Sequence, residues 1–197
     1  MNTPQFDLEP AATDMEAVVA GIGDSQMDAP TPCAGTSVHI LLAHVVGLTE
    51  AFRQAATKEM LGRSQTPASA RPELPHDWRN RIPAQLKALV AAWREPSAWT
   101  GDTEAGGVQL PATQMAEIAL NELVVHAWDL ARATGQPYLP DSDDLNILLD
   151  MLRDTPAEGT PGLFGPVIPI PDNASTLDRV LGLTGRDPAW TAHKATA

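Results

Sequence analysis

The chain is 197 residues long, 43% of them apolar, and carries a formal net charge of −12. That length supports one sizeable core and disfavours two large domains, and the acidic balance disfavours nucleic acid or an anionic membrane as partner. Apolar runs stay as short as Ile40–Ala43, which excludes a transmembrane helix, and the acidic start Met1–Glu9 lacks the basic-then-apolar order of a secretory signal. A single cysteine, Cys33, leaves no internal disulfide and suits a reducing cytoplasm.

Taken along the chain, a first helix is predicted over about Ala11–Ala20, with Met15, Val18, Val19 and Ile22 at helical spacing and Gly21 and Gly23 ending it. The loop from Asp28 to Gly35 leads to a second helix, capped by Thr36 or Ser37, whose Val38, Leu41, Leu42, Val45, Val46, Thr49 and Phe52 follow a 3.6 period. Residues 61–77, broken by Gly62 and three prolines, read as a long loop. A third helix is predicted over Trp78–Glu95, and Pro83 suggests that its regular part begins there. Trp99–Leu110 is turn-rich, consistent with a short hairpin or with nothing regular.

The fourth helix, Ala112–Thr134, stops at Gly135 with Pro137 beyond. A fifth runs from Pro140–Ser142 through Arg153, and a short helix around Leu177–Leu183 follows a proline-rich crossing from Pro156 to Pro171. Long helices joined by proline-rich connections, with no alternating strand pattern, predict an all-α bundle. We expect one domain over 1–197, its core at about 10–153 and a C-terminal extension over 154–197.

The fourth helix carries the chemistry. Between Ile118 and Leu130 it is almost wholly apolar except for Asn121, Glu122, His126 and Asp129. Positions i, i+4 and i+7 share a helix face, so Glu122, His126 and Asp129 form a polar seam on a helix that belongs in a core. Buried groups of this kind must be paired, hydrogen-bonded or metal-bound, because leaving them bare costs several kcal/mol. His44, in Leu41–Val46 of the second helix, is flanked by apolar residues and should point partly inward. Two imidazoles and a carboxylate make the three-ligand set of a catalytic zinc site with an open fourth position, and nickel or iron would also accept it. Asp129 could orient a ligand imidazole from behind. A plain i,i+4 hydrogen bond between Glu122 and His126 is the bland alternative.

His39 lies about 140° around the helix from His44 and is a poor partner for it. His76 and His193 fall in loop and tail. Cys33, with no histidine close in sequence, is read as structural, and because a helix starting near Ser37 places His44 roughly 10 Å further along its axis it is a poor candidate for the same metal. The five tryptophans are read as core and rim.

Three segments carry a resemblance: Thr31-Pro32-Cys33-Ala34-Gly35; Leu41-Leu42-Ala43-His44-Val45-Val46-Gly47; and Asn121-Glu122-Leu123-Val124-Val125-His126-Ala127-Trp128-Asp129-Leu130-Ala131-Arg132-Ala133-Thr134-Gly135. Together with Phe164-Gly165-Pro166 and Gly185-Arg186-Asp187-Pro188, they resemble the actinobacterial branch of the DinB-like superfamily, the metal-binding relatives of mycothiol-dependent maleylpyruvate isomerase. The resemblance implies a four-helix bundle holding a divalent metal, usually zinc, through His44, Glu122 and His126. Asp129 matches an acidic position of the isomerase pattern E-x-x-x-H-x-x-D.

The family commonly has Trp after the Thr-Pro-Cys segment where this chain has Thr36, which removes a large group near the mouth of the site. The isomerase's C-terminal α/β region, which supplies thiol-binding arginines, has no obvious counterpart in the last fifty residues, so this chain is not expected to be that isomerase. Arg132 and Arg186 are candidate stand-ins: with Asp129, Arg132 is the catalytic candidate, and Arg186 the candidate for holding the thiol cofactor, mycothiol or a similar small molecule. The expected function is thiol S-transfer or isomerisation of an electrophilic substrate, the alternative a metal-dependent binding or sensing module without chemistry. The resemblance leaves room for a homodimer through outer helix faces, although no residue requires one.

Overall fold

The computed structural model of the protein describes residues 3–64, 73–160 and 163–192. Helices α1 (Glu9–Ala20), α2 (Val38–Thr57) and α3 (Trp78–Trp93) precede two short strands, β1 (Asp102–Ala105) and β2 (Val108–Pro111). Helices α4 (Ala112–Thr134), α5 (Ser142–Leu152) and α6 (Thr176–Leu183) follow, and single 3₁₀ turns lie at Asp24–Gln26 and Pro96–Trp99. Helix α1 packs on α3 and α4, and α2 packs on the same two, so the four close around one core; α5 lies on α4, and α6 lies on α5. The mainly helical expectation holds, and of the two readings of the turn-rich segment after Trp99 the structure shows the short antiparallel hairpin.

Local chemistry explains the boundaries. Ser37 accepts a hydrogen bond from the Ile40 amide at 3.4 Å and so caps α2, one of the two capping residues expected. Asp141 and Ser175 cap α5 and α6 in the same way. Gly135, at φ +73°, ends α4 in the left-handed region that a side chain would resist. The hairpin turns through Gly106 and Gly107, both at positive φ (57° and 81°), which suits the tight turn of a two-residue loop.

Helix α3 corrects the reading of Pro83. Its regular part begins at Trp78, and Pro83 lies inside it. One backbone bond is lost there, but the buried side chains of Trp78 and Ile82 tie the preceding turn to the core. The calls on residues 65–72 of the long loop and on His193 lie outside the described residues.

The core runs along the inner faces of α1 to α4, from Met15 and Val19 through Leu42, Val45, Ile82 and Leu89 to Leu120, Leu123 and Val124. An aromatic cluster closes one part of it. Trp93 and Trp99 meet edge to face at 5.6 Å, and Phe6 meets Trp99 at 5.0 Å. The two indoles spend their N–H groups on backbone carbonyls, Trp93 on Phe52 (3.1 Å) and Trp99 on Trp93 (2.6 Å). Trp78 and Trp128 are also buried and Trp190 half-buried, consistent with core and rim.

Candidate metal centre

Helix α4 is buried on nearly every side between Ala119 and Ala131, so the polar groups it carries there must be satisfied by partners or by a bound ion. Glu122 and His126, one turn apart, turn toward α2, whose outer turn presents His44. One carboxylate oxygen, Glu122 Oε2, lies 3.2 Å from His44 Nε2 and 3.0 Å from His126 Nε2. The two imidazole rings stand perpendicular with centroids 5.0 Å apart. The three donor atoms all lie within 4.8 Å of one another, and this is the cluster of metal-ligating type found among the described residues. His44 is half exposed, whereas the His126 side chain is 7% exposed, so the site opens to solvent on its α2 side.

Behind His126 stands Asp129, completely buried, whose Oδ2 is 3.0 Å from His126 Nδ1. A neutral His126 that donates its Nδ1–H to this carboxylate as a hydrogen bond turns an Nε2 lone pair toward Glu122 Oε2. Two lone pairs at 3.0 Å repel, so the centre requires positive charge between them: a second proton on the ring or a cation. Without a cation the ring takes the proton. Burial opposes that charge, but Glu122, the Asp129 hydrogen bond and the Asp129 charge outweigh it and lift His126 to about 10. Burial likewise opposes ionisation of Glu122, yet the charge on His126 and hydrogen bonds from both histidines hold its carboxyl far below the usual range. The donor set, with a carboxylate orienting one imidazole from behind, fits a divalent cation.

The remaining sequence candidates lie close by with different partners. Arg186, just after α6, is 12% exposed and donates from Nη2 to Asp129 Oδ2 (3.2 Å) and from Nη1 to the Thr184 carbonyl (2.8 Å). Arg132 donates to the carbonyls of Pro188 and Trp190 at 3.1 and 3.0 Å and lies 5.8 Å from the Trp128 ring. These contacts place both arginines between α4 and the C-terminal segment, and the contact of Arg186 with Asp129 has no sequence signal: 57 residues separate them and no periodicity relates them. Cys33, half-buried in the loop before α2, is not one of the converging donors. Burial opposes the charge on Arg186, but Asp129 outweighs it and strengthens the guanidinium's hold on its proton. His39 and His76 are exposed and stand apart from the cluster.

Residues 8–131, well over half the chain, match the sequence model of the mycothiol maleylpyruvate isomerase N-terminal domain. Two uncharacterized proteins of Mycobacterium tuberculosis, Rv0738 of strain H37Rv and MT0763 of strain CDC 1551, are each 30% identical over 131 residues. That alignment takes in 61% of this chain and 61% of each relative, so the chain spans about three fifths of the length of these relatives. The crystal structure of the mycothiol-dependent maleylpyruvate isomerase superposes with a TM-score of 0.58 at 18% identity, covering 77% of this chain and 72% of that one. A histidine-to-alanine mutant of that isomerase gives 0.57 at 19% identity over the same shares. At such identity the superposition speaks for the fold. The match over α1 to α4 assigns the chain to a family: it belongs to that of the mycothiol maleylpyruvate isomerase N-terminal domain.

Proposed function

We propose that this protein is a metal-dependent enzyme of small-molecule thiol chemistry, an isomerase or S-transferase acting on an electrophilic substrate in a reducing cytoplasm. One observation carries the reading: His44, Glu122 and His126, from two helices, converge to within 4.8 Å on a site whose His44 side is open to solvent. The family relationship supports it, since the solved relative is a mycothiol-dependent isomerase.

His44, Glu122 and His126 would hold the metal, zinc in the first instance and nickel or iron as alternatives. When bound, such a cation supplies Lewis acidity that lets a thiol lose its proton near neutral pH. The chain's own groups do the rest. Asp129 fixes His126 with Nδ1 protonated and Nε2 free to bind. The buried wall of α4 keeps water from that side, and the exposed His44 side admits the thiol, mycothiol or a similar molecule, and its electrophile. Arg132, one turn beyond Asp129, would take part only by exchanging a backbone carbonyl for a substrate anion.

Turnover of maleyl or chloro-aromatic electrophiles with a mycothiol surrogate, with and without chelator, tests the reading. Thiol-dependent turnover that chelation abolishes and zinc restores is the expected result. Stoichiometric metal with ligand-induced thermal shifts but no product would instead indicate a binding or sensing module. Turnover indifferent to chelator would refute the reading.

A further inference from the structure

The matched family segment ends at residue 131, yet the hydrogen bonds around the candidate metal centre extend beyond it. Just past the end of helix α6, Gly185 stands at φ +77°, where a Cβ would lie 3.0 Å from the Pro166 carbonyl oxygen and 3.1 Å from two backbone atoms of Gly165. Only glycine turns the chain there without strain. The turn is locked by the Arg186 amide donating to the Leu181 carbonyl at 2.8 Å and the Gly185 amide donating to that of Gly182 at 3.1 Å. Its product is a guanidinium aimed at α4 and anchored at one end on the Thr184 carbonyl.

Asp129 needs such a partner. It is completely buried, its Oδ2 takes both the His126 and the Arg186 contacts, and its Oδ1 has no hydrogen-bond partner in the protein. Without the guanidinium this buried carboxylate would face the His126 ring alone and be free to rotate, and so would cease to fix which His126 nitrogen carries the hydrogen.

Resting on the metal reading above, we infer that Arg186 is a positioning residue of the metal centre: it acts through Asp129 on His126, so the C-terminal extension completes the site. Nη1 and Nη2 already donate to the Thr184 carbonyl and to Asp129, Nε is buried without a partner in the protein, and the side chain is only 12% exposed, which distinguishes this role from direct capture of the thiol.

Zinc affinity, measured by competition with a chromophoric chelator, is compared for the parent, Arg186→Met, Arg186→Lys, Asp129→Asn, His126→Ala and Asp187→Ala. In the zinc-loaded proteins, the slowly exchanging Nδ1–H proton of His126 is followed by NMR. Asp187 serves as a control, because its Oδ1 accepts the Ala189 amide in the same segment without touching Asp129. Arg186→Met and Asp129→Asn should each weaken zinc about 10- to 100-fold, the range for loss of a group that orients a ligand, and should lose the protected resonance. Arg186→Lys should recover part of both, and Asp187→Ala should keep parental affinity.

Should Arg186→Met fail to fold, Arg186→Lys against Asp129→Asn still decides. Parental zinc affinity and an intact His126 resonance in the Arg186 variants, with only the KM for the thiol raised, would overturn the inference in favour of thiol capture. Equal weakening by Asp187→Ala would also overturn it, because docking of the segment alone would then matter. A parent that binds no zinc, indistinguishable from His126→Ala, would instead remove the metal reading and the inference with it.

Discussion

Glu122 Oε2 sits between two imidazole nitrogens at 3.2 and 3.0 Å, an arrangement that two neutral histidines cannot satisfy while His126 Nδ1–H donates to Asp129. The residue-scale consequence is that removing either nitrogen unbalances the charge on Glu122 as well as deleting a proposed ligand. His126→Ala is expected to lower metal affinity by at least 10- to 100-fold and to destabilise the protein by roughly 2–4 kcal/mol through the stranded Glu122 and the lost metal. His39→Ala, an exposed change on the same helix as His44, should stay within about 0.5 kcal/mol of the parent. Chelator competition and denaturant titration read both. Equal metal affinity and stability for His126→Ala and the parent would contradict the role given to His126.

Among the elements, α5 carries a different electrostatic load. Asp144 lies in its first turn with Oδ2 unpartnered, 4% exposed. Burial, reinforced by Asp141, Asp14, Asp143 and Asp7, pushes its carboxyl up to about 7. The folded state therefore holds this proton more tightly than the unfolded state, whose carboxyl titrates near 3.8. Stability from this group is complete below about 4 and is lost as pH climbs through about 7. Asp144→Asn should thus raise the melting temperature at pH 8, the gap closing toward pH 4; a gap independent of pH would contradict the assignment.

At this scale α2 and α4 were legible in the sequence, because a 3.6 period sustained over five or more turns admits no other element. The start of α3 was not, since Pro83 argued locally for a later beginning while tertiary burial of Trp78 and Ile82 decided it. Strands of four residues are too short for their alternation to separate a hairpin from a loop. His44, Glu122 and His126 could be read from spacing and flanking apolarity, whereas the hold of Arg186 on Asp129 depends on the path of the C-terminal segment and left no local trace.

For the whole molecule, one core shared by α1 to α4 means that ligand binding and global stability are linked. Trp93, 2% exposed and bonded to the Phe52 carbonyl, joins α3 to α2, and its replacement by Ala should cost about 3–5 kcal/mol in denaturant titration. Zinc at a thousand times its dissociation constant should stabilise the parent by about 4 kcal/mol over the chelated protein, if it binds the folded state alone. Among the described residues no helix is long and apolar enough to cross a membrane.

The most direct measurement is elemental analysis of protein purified without added metal, paired with zinc titration of the stripped form, for the parent and for His44→Ala, Glu122→Gln and His126→Ala. Close to one equivalent of a divalent metal in the parent, tight rebinding after stripping, and marked loss in all three variants are expected. No metal in the parent and no zinc affinity on titration, or the same stoichiometry and affinity in the three variants, would contradict a metal centre at His44, Glu122 and His126.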